Sequence, residues 1–167
     1  MAMTNPIFLV GFMGSGKSTI GVLLAKELHA PFVDLDDDIE AAAGRTIAEV
    51  FESDGEQRFR DLEHVALTRR IDAGGRAVIA LGGGAFTFAR NRDVMQGKGT
   101  SVWLDCPFET ALRRVEGFAH RPLAKDPENF RALFETRRGE YAKADVRIPI
   151  DSDDPAAAVR DILKSLR

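Results

Sequence analysis

Residues 11–18 read Gly-Phe-Met-Gly-Ser-Gly-Lys-Ser and fit the pattern G-x-x-x-x-G-K-[ST]. Glycines in such a loop let backbone N–H groups converge on phosphate oxygens, and a helix starting at its end aims its positive dipole at the same point. Lys17 would neutralise β and γ oxygens as a point charge, and the Ser18 hydroxyl would hold Mg²⁺. The pattern gains weight from its place, after the apolar run 7–10 and before a stretch, 17–29, with Ile20, Leu23, Leu24 and Leu28 in near-helical spacing. A phosphate loop identifies a nucleotide and leaves open what receives the phosphoryl group.

Candidates for an acceptor site lie further along. A second apolar run ends in Asp34-Leu35-Asp36-Asp37-Asp38; strand alternation points Asp34 and Asp36 the same way at a carboxyl end, where open α/β sheets place ligands. Asp37 and Asp38 are read as caps of a following helix, or as solvated. Arg60 and Glu63 stand three apart on a helix and can pair, and an arginine oriented by a glutamate is a good fork for a carboxylate. From spacing alone, a surface ion pair is the better reading of those two. Gly82-Gly83-Gly84 follows a third apolar run and would admit a ligand close to backbone amides, or simply form a turn. Arg121 lies in a stretch without periodicity, 116–125, where a loop arginine could close over phosphates; Arg137 follows in a helix. Cys106 has no partner base, and His29, His64 and His120 are unclustered, so neither a thiol nucleophile nor a histidine metal site is expected.

The elements that must position these residues alternate short apolar runs with longer helical patterns, as in a parallel sheet wrapped by helices. Strands are expected at 7–10, 32–35, 77–81, 101–104 and 146–150, the last at an edge or ending at Pro149, which has no ladder donor. Thr46 with Glu49 and Ser53 with Glu56 read as capping boxes, predicting helices over 47–52 and 55–73. Pro107, Pro127 and Pro155 stand where first helical residues belong, the latter two behind Asp126 and Asp154, predicting helices over 107–115, 127–143 and 155–166. The stretch 116–125 between two of them is expected to be a mobile loop.

At 167 residues the chain is expected to form one domain. A net charge of -3 gives no basic surplus for nucleic acid or an anionic membrane, and 44% hydrophobic residues place the chain among folded globular proteins. No export signal or membrane span is visible, and a lone cysteine excludes an internal disulfide framework, so a reducing cytoplasm is the expected location.

Taken in order, GFMGSGKST, DLDDDIE, GRTIAEVFESDGEQRFRDLE, ALGGGA and HRPL resemble the shikimate kinase family, small P-loop enzymes similar to nucleoside-monophosphate kinases that phosphorylate the 3-hydroxyl of shikimate with ATP. The resemblance spans nearly the whole chain. It implies an α/β, three-layer α/β/α P-loop kinase fold with a five-stranded parallel sheet, as a single domain over 1–167 with substrate-binding helices at about 36–64 and a mobile lid at about 116–127. By resemblance, Gly14, Ser15, Gly16, Lys17, Ser18, Thr19, Arg114 and Arg121 bind ATP, and Ser18 and Asp34 hold Mg²⁺. Asp36, Arg60, Gly82, Gly83, Gly84, Arg137, Phe51, Phe59 and Glu63 bind shikimate, Glu63 by orienting Arg60. Asp36, Lys17 and Arg121 are the catalytic set, and the partners are shikimate and ATP, with no nucleic acid and no membrane, the chain acting as a monomer. The family commonly carries Arg-x-Pro-Leu-Tyr where this chain has Arg137-Arg138-Gly139-Glu140-Tyr141, so Arg138 stands as the alternative carboxylate ligand. Ser152-Asp153-Asp154 is acidic where some relatives are basic. Two rival readings are a kinase of the same architecture for another acceptor, such as a sugar acid, and a nucleotide-binding protein without catalysis.

Overall fold

Parallel pairing obliges the chain to cross back over the sheet between strands, and each crossover here is helical. The computed structural model describes residues 4–116 and 126–167. Its strands are β1 (Ile7–Val10), β2 (Phe32–Asp34), β3 (Val78–Ala80), β4 (Thr100–Asp105) and β5 (Val146–Pro149). Its helices are α1 (Lys17–Glu27), α2 (Leu35–Ala43), α3 (Ile47–Ala73), α4 (Ala89–Met95), α5 (Phe108–Glu116), α6 (Pro127–Tyr141) and α7 (Pro155–Ser165), with one 3₁₀ turn over Ala85–Thr87. All pairings are parallel in the order β2-β3-β1-β4-β5. The chain moves to one side of β1 for β2 and β3 and to the other for β4 and β5, so the carboxyl end of β1 is the switch point at which such sheets place ligands.

β1 and β3, unbroken apolar runs, are fully buried, and so is β4 beyond Thr100, its Ser101 and Asp105 included. β5 is an edge strand, and Pro149 ends it opposite Asp105. Asp126 and Asp154 cap α6 and α7 as their positions predict, accepting from Asn129 N at 3.3 Å and Ala156 N at 3.0 Å. Both halves of the Thr46–Glu49 capping box form, at 3.2 and 2.8 Å. The expected break near Ser53 is a kink inside α3, where Gly55 takes φ 83° and ψ 173°, a conformation that needs glycine.

Two elements differ from the sequence reading. β2 stops at Asp34, and α2 starts at once because the Asp34 carboxylate accepts from Asp36 N at 3.0 Å. Asp34 is therefore the cap, Asp36 lies in the first helical turn rather than on the strand, and Asp38 instead meets Arg70 Nη2 at 2.6 Å. The 3₁₀ turn and α4 were not expected: Phe88, at the N-cap of α4, makes no side-chain capping bond, so the usual start signal is missing. No helix among the described residues is long and apolar enough to cross a membrane.

Candidate active site

Three carboxyl ends converge at the switch point: β1 continues into the phosphate loop, β2 ends in Asp34, and β3 is followed by Gly82-Gly83-Gly84. They bound a cavity of about 540 Å³ whose lining includes Gly14, Gly16, Lys17, Ser18, Thr19, Asp34, Asp36, Gly82, Gly83 and Arg114. Gly14 and Gly16 take φ of 80° and 93°, and a side chain at Gly14 would stand 2.9 Å from the Ala111 carbonyl oxygen. The loop thus needs glycine for conformation and for room. Ser15 is fully buried beneath it. Lys17 Nζ donates to the Gly11 and Phe12 carbonyls at 2.6 and 3.1 Å, which holds the ammonium over the loop.

Ser18 Oγ donates to Asp34 Oδ2 at 3.4 Å. A hydroxyl and a carboxylate side by side at a phosphate loop suit Mg²⁺, which takes few protein ligands and completes its shell with phosphate oxygens and water. No cluster of three His, Cys, Asp or Glu capable of holding a metal occurs among the described residues. Arg114 Nη1 donates to the Gly14 carbonyl at 2.9 Å while Nη2 reaches Asp153 at 3.2 Å, tying the phosphate loop to the acidic loop before α7.

Behind the glycine turn lies a second cluster, which the turn separates by backbone alone. A Cβ on Gly82 would lie 3.1 Å from Asp36 Oδ1 and 3.2 Å from Glu63 Oε2; on Gly83, 3.1 Å from Arg137 Nη1; on Gly84, 2.5 Å from Arg60 Nη2. Four charged side chains therefore press on one turn, and each glycine admits one or two of them. Arg60 and Glu63, read from spacing as a surface pair, are buried, with Nη1 donating to Glu63 Oε1 at 2.9 Å. The reason is tertiary: α3 packs on the 3₁₀ turn and α4, which covers this face. Three buried atoms here, Asp36 Oδ1, Arg60 Nε and Glu63 Oε2, have no hydrogen-bond partner among the described residues. Buried polar atoms are almost always satisfied, so unsatisfied ones grouped around one turn mark a place where a ligand supplies the partners.

Burial pushes the Asp36 carboxyl up to about 6, helped by the neighbouring charges of Asp34 and Glu63. Burial also raises Asp34, and it raises Glu63 despite the opposing pull of Arg60. Burial pulls the Arg137 guanidinium below its usual range. Carboxyls and an arginine whose titration burial shifts, gathered in one cleft, mark a candidate functional site.

Arg137 and Arg138, neighbours on α6, meet different surroundings. Arg138 turns outward to Asp105, at 3.2 Å, with its guanidinium 5.4 Å from the Trp103 ring. Arg137 turns to the glycine turn and the Phe12 ring, with Tyr141 beside it. The Tyr141 hydroxyl donates to the Gly83 carbonyl. Phe59 is buried, and half-exposed Phe51 stacks on it with centroids 4.6 Å apart. Arg121 and residues 117–125 lie outside the described residues.

Two residues beside this site carry no sequence motif. Phe88 places its ring 5.1 Å from Arg60 Cζ. Asn91, buried in α4, donates to the Ala85 carbonyl at 2.8 Å and contacts His64 Nδ1 at 2.7 Å, so the histidine proton sits on Nδ1 when Asn91 Oδ1 accepts. Partial exposure beside the paired charges is the one signal that would have singled out Phe88, and it requires coordinates.

A family model described as "SKI: Shikimate kinase" matches residues 13–167. The shikimate kinase of Persephonella marina is 43% identical over 162 residues, covering 96% of this chain and 98% of that protein. Among solved structures, the shikimate kinase from Acinetobacter baumannii in complex with shikimate superposes with a TM-score of 0.91 at 34% identity, covering 99% of this chain and 94% of that one. The Aquifex aeolicus shikimate kinase gives 0.87 at 40% identity, with coverage of 96% and 95%. A phosphate loop facing a glycine turn ringed by carboxylates and arginines, together with similarity along almost the full length, has one consistent reading: the chain belongs to the shikimate kinase family.

Proposed function

We propose that the protein transfers the γ-phosphoryl group of ATP to the 3-hydroxyl of shikimate, giving shikimate 3-phosphate and ADP on the route to chorismate and the aromatic amino acids. The observation that carries this reading is the pair of adjoining sites, a phosphate-loop cavity and a cluster of unsatisfied charged atoms, in contact across Gly82-Gly83-Gly84. Shikimate is a small polyhydroxy acid, and its carboxylate and hydroxyls match that cluster in kind.

Arg60 and Arg137 grip the carboxylate, Glu63 fixes Arg60, and Phe51 and Phe59 form the apolar wall of the acceptor site. Gly82, Gly83 and Gly84 bring backbone to the ring edge. Asp36, through its unpartnered Oδ1, accepts from the reacting hydroxyl and aims it at the phosphorus. Phosphoryl-transfer transition states are loose, so Asp36 acts more by orientation than by early proton removal. Gly14, Ser15, Gly16, Lys17, Ser18 and Thr19 cradle the triphosphate, and Arg114 borders the base. Ser18 and Asp34 would hold Mg²⁺ with the nucleotide. When bound, that cation neutralises charge on the β and γ oxygens. Lys17 supplies protein charge to the same oxygens, with Arg121 of the 116–127 lid assigned to them by sequence resemblance. The chain does this as one kinase domain and a monomer in the cytoplasm; its lone cysteine, which cannot build an internal disulfide framework, supports the reducing compartment alone.

A coupled ADP-release assay with Mg·ATP tests the reading against shikimate, gluconate, AMP and no acceptor. Release that depends on shikimate alone supports it. Stimulation by gluconate or AMP instead reassigns the acceptor, and no stimulation by any acceptor favours a nucleotide-binding protein without catalysis.

A further inference from the structure

The Arg60 guanidinium has aromatic rings against it as well as a carboxylate. Its Cζ lies 5.0 Å from the Phe59 ring centroid and 5.1 Å from that of Phe88, close enough for a cation–π contact with each. Nη1 is engaged by Glu63 and the Gly84 backbone crowds Nη1 and Nη2, while Nε is buried without a hydrogen bond. The exposed Glu56 carboxylate is 3.5 Å from Nε and makes no hydrogen bond to it. A ring face constrains the plane of a guanidinium without occupying an N–H donor or cancelling its charge, which a second carboxylate would do.

Phe88 has no local reason to be aromatic. It occupies the N-cap of α4 with φ −92° and ψ 126° and makes no capping hydrogen bond, in a position where Ser, Thr, Asp or Asn would stabilise the helix. The residue is also 36% exposed, one of four large hydrophobic residues so exposed among the described residues; another of the four, Phe51, stacks on Phe59 at the same place. A residue that forgoes a helix cap and leaves an aromatic ring half in water is explained by what the ring touches.

We infer that Phe88 is a positioning residue for the acceptor: its ring fixes the Arg60 guanidinium so that the Nε side, which makes no hydrogen bond within the protein, meets the substrate carboxylate, and it extends the apolar wall begun by Phe51 and Phe59. The inference deepens the reading of Arg60 as a shikimate ligand and rests on it. It goes beyond that reading in making carboxylate affinity depend on a side chain from the turn after β3, outside α3.

The test compares Phe88→Leu, Phe88→Tyr and Phe88→Ser with the parent protein. Loss of the ring in Phe88→Leu raises the shikimate KM about 5- to 30-fold while kcat and the ATP KM stay within about 2-fold. Phe88→Tyr restores the shikimate KM to within about 2-fold of the parent. Phe88→Ser supplies the missing cap, so its Tm stays within about 3 °C of the parent while its shikimate KM rises as in Phe88→Leu. A shikimate KM unchanged in Phe88→Leu overturns the inference, as does an ATP KM that rises in step or a Tyr variant no better than Leu. NMR of the Arg60 Nε–H group separates this inference from the reading beneath it. In Phe88→Leu its ring-current shift changes and its hydrogen exchange quickens; if neither changes, Phe88 does not position Arg60, whatever the kinetics show. If both change but the parent does not phosphorylate shikimate, the assigned substrate is wrong and the positioning contact stands.

Discussion

Asp36 illustrates how a single side chain couples chemistry to stability. A carboxyl at about 6 against its ordinary 3.8 binds a proton more readily in the folded than in the unfolded chain. Its contribution to stability is therefore lost as pH rises through that window, and above pH 6 the ionised form is a net burden. Asp36→Asn should raise stability at pH 8, by at most about 3 kcal/mol at 1.36 kcal/mol per unit, measured by urea denaturation. The same substitution should lower kcat by about 100-fold or more with ATP affinity within about 3-fold, because the proposed nucleotide cradle is the phosphate loop and the proposed partner of Asp36 is the acceptor hydroxyl. Loss of ATP affinity in proportion to kcat would contradict the role. In the parent enzyme kcat/KM for shikimate should fall below pH 6 as Asp36 takes up a proton and ceases to be an acceptor only; a profile flat down to pH 4.5 would show that its charge is not needed.

The elements around the site make separate predictions. Gly84 has φ −98°, which any residue tolerates, so Gly84→Ala tests space alone. Its methyl would stand 2.5 Å from Arg60 Nη2 and displace the guanidinium. The expected result is a shikimate KM raised about 10-fold or more with the ATP KM nearly unchanged, read by steady-state kinetics. The facing of α6 sets up a contrast between neighbours. Arg137→Ala should raise the shikimate KM about 100-fold, in line with loss of a charged hydrogen bond, whereas Arg138→Ala, which removes a half-exposed partner of Asp105, should change it less than about 3-fold. Reversed effects would move the carboxylate to the other side of the helix.

These elements also show what a sequence can disclose. The β1, phosphate loop and α1 unit was legible because every signal in it is local: an apolar run, glycines with required dihedrals, and a helix start within one stretch of 21 residues, 7–27. The Thr46 capping box and the aspartate caps of α6 and α7 were legible for the same reason. Asp34 and Asp36 were singled out through strand alternation, although the chain turns helical between them and brings both to the cavity by another route. Burial of Arg60 and Glu63 was not legible, since it depends on the 3₁₀ turn and α4 packing over α3, and α4 announces itself by no cap. Nor was the choice between Arg137 and Arg138, which depends on where Asp105 and Gly83 stand relative to α6.

At the scale of the whole molecule, the sheet order places the phosphate loop after β1 and the glycine turn after adjacent β3, so the proposed donor and acceptor sites share one rim and are separated by backbone. Central strands buried on both faces give that rim a rigid base. If this rim carries the γ-phosphoryl group to one hydroxyl of shikimate, ³¹P NMR of the reaction mixture detects the product itself. The predicted result is a single new phosphomonoester resonance, coupled to the proton on carbon 3 of the shikimate ring and growing in step with ADP. Inorganic phosphate alone, or a phosphoester on a different hydroxyl, would contradict it.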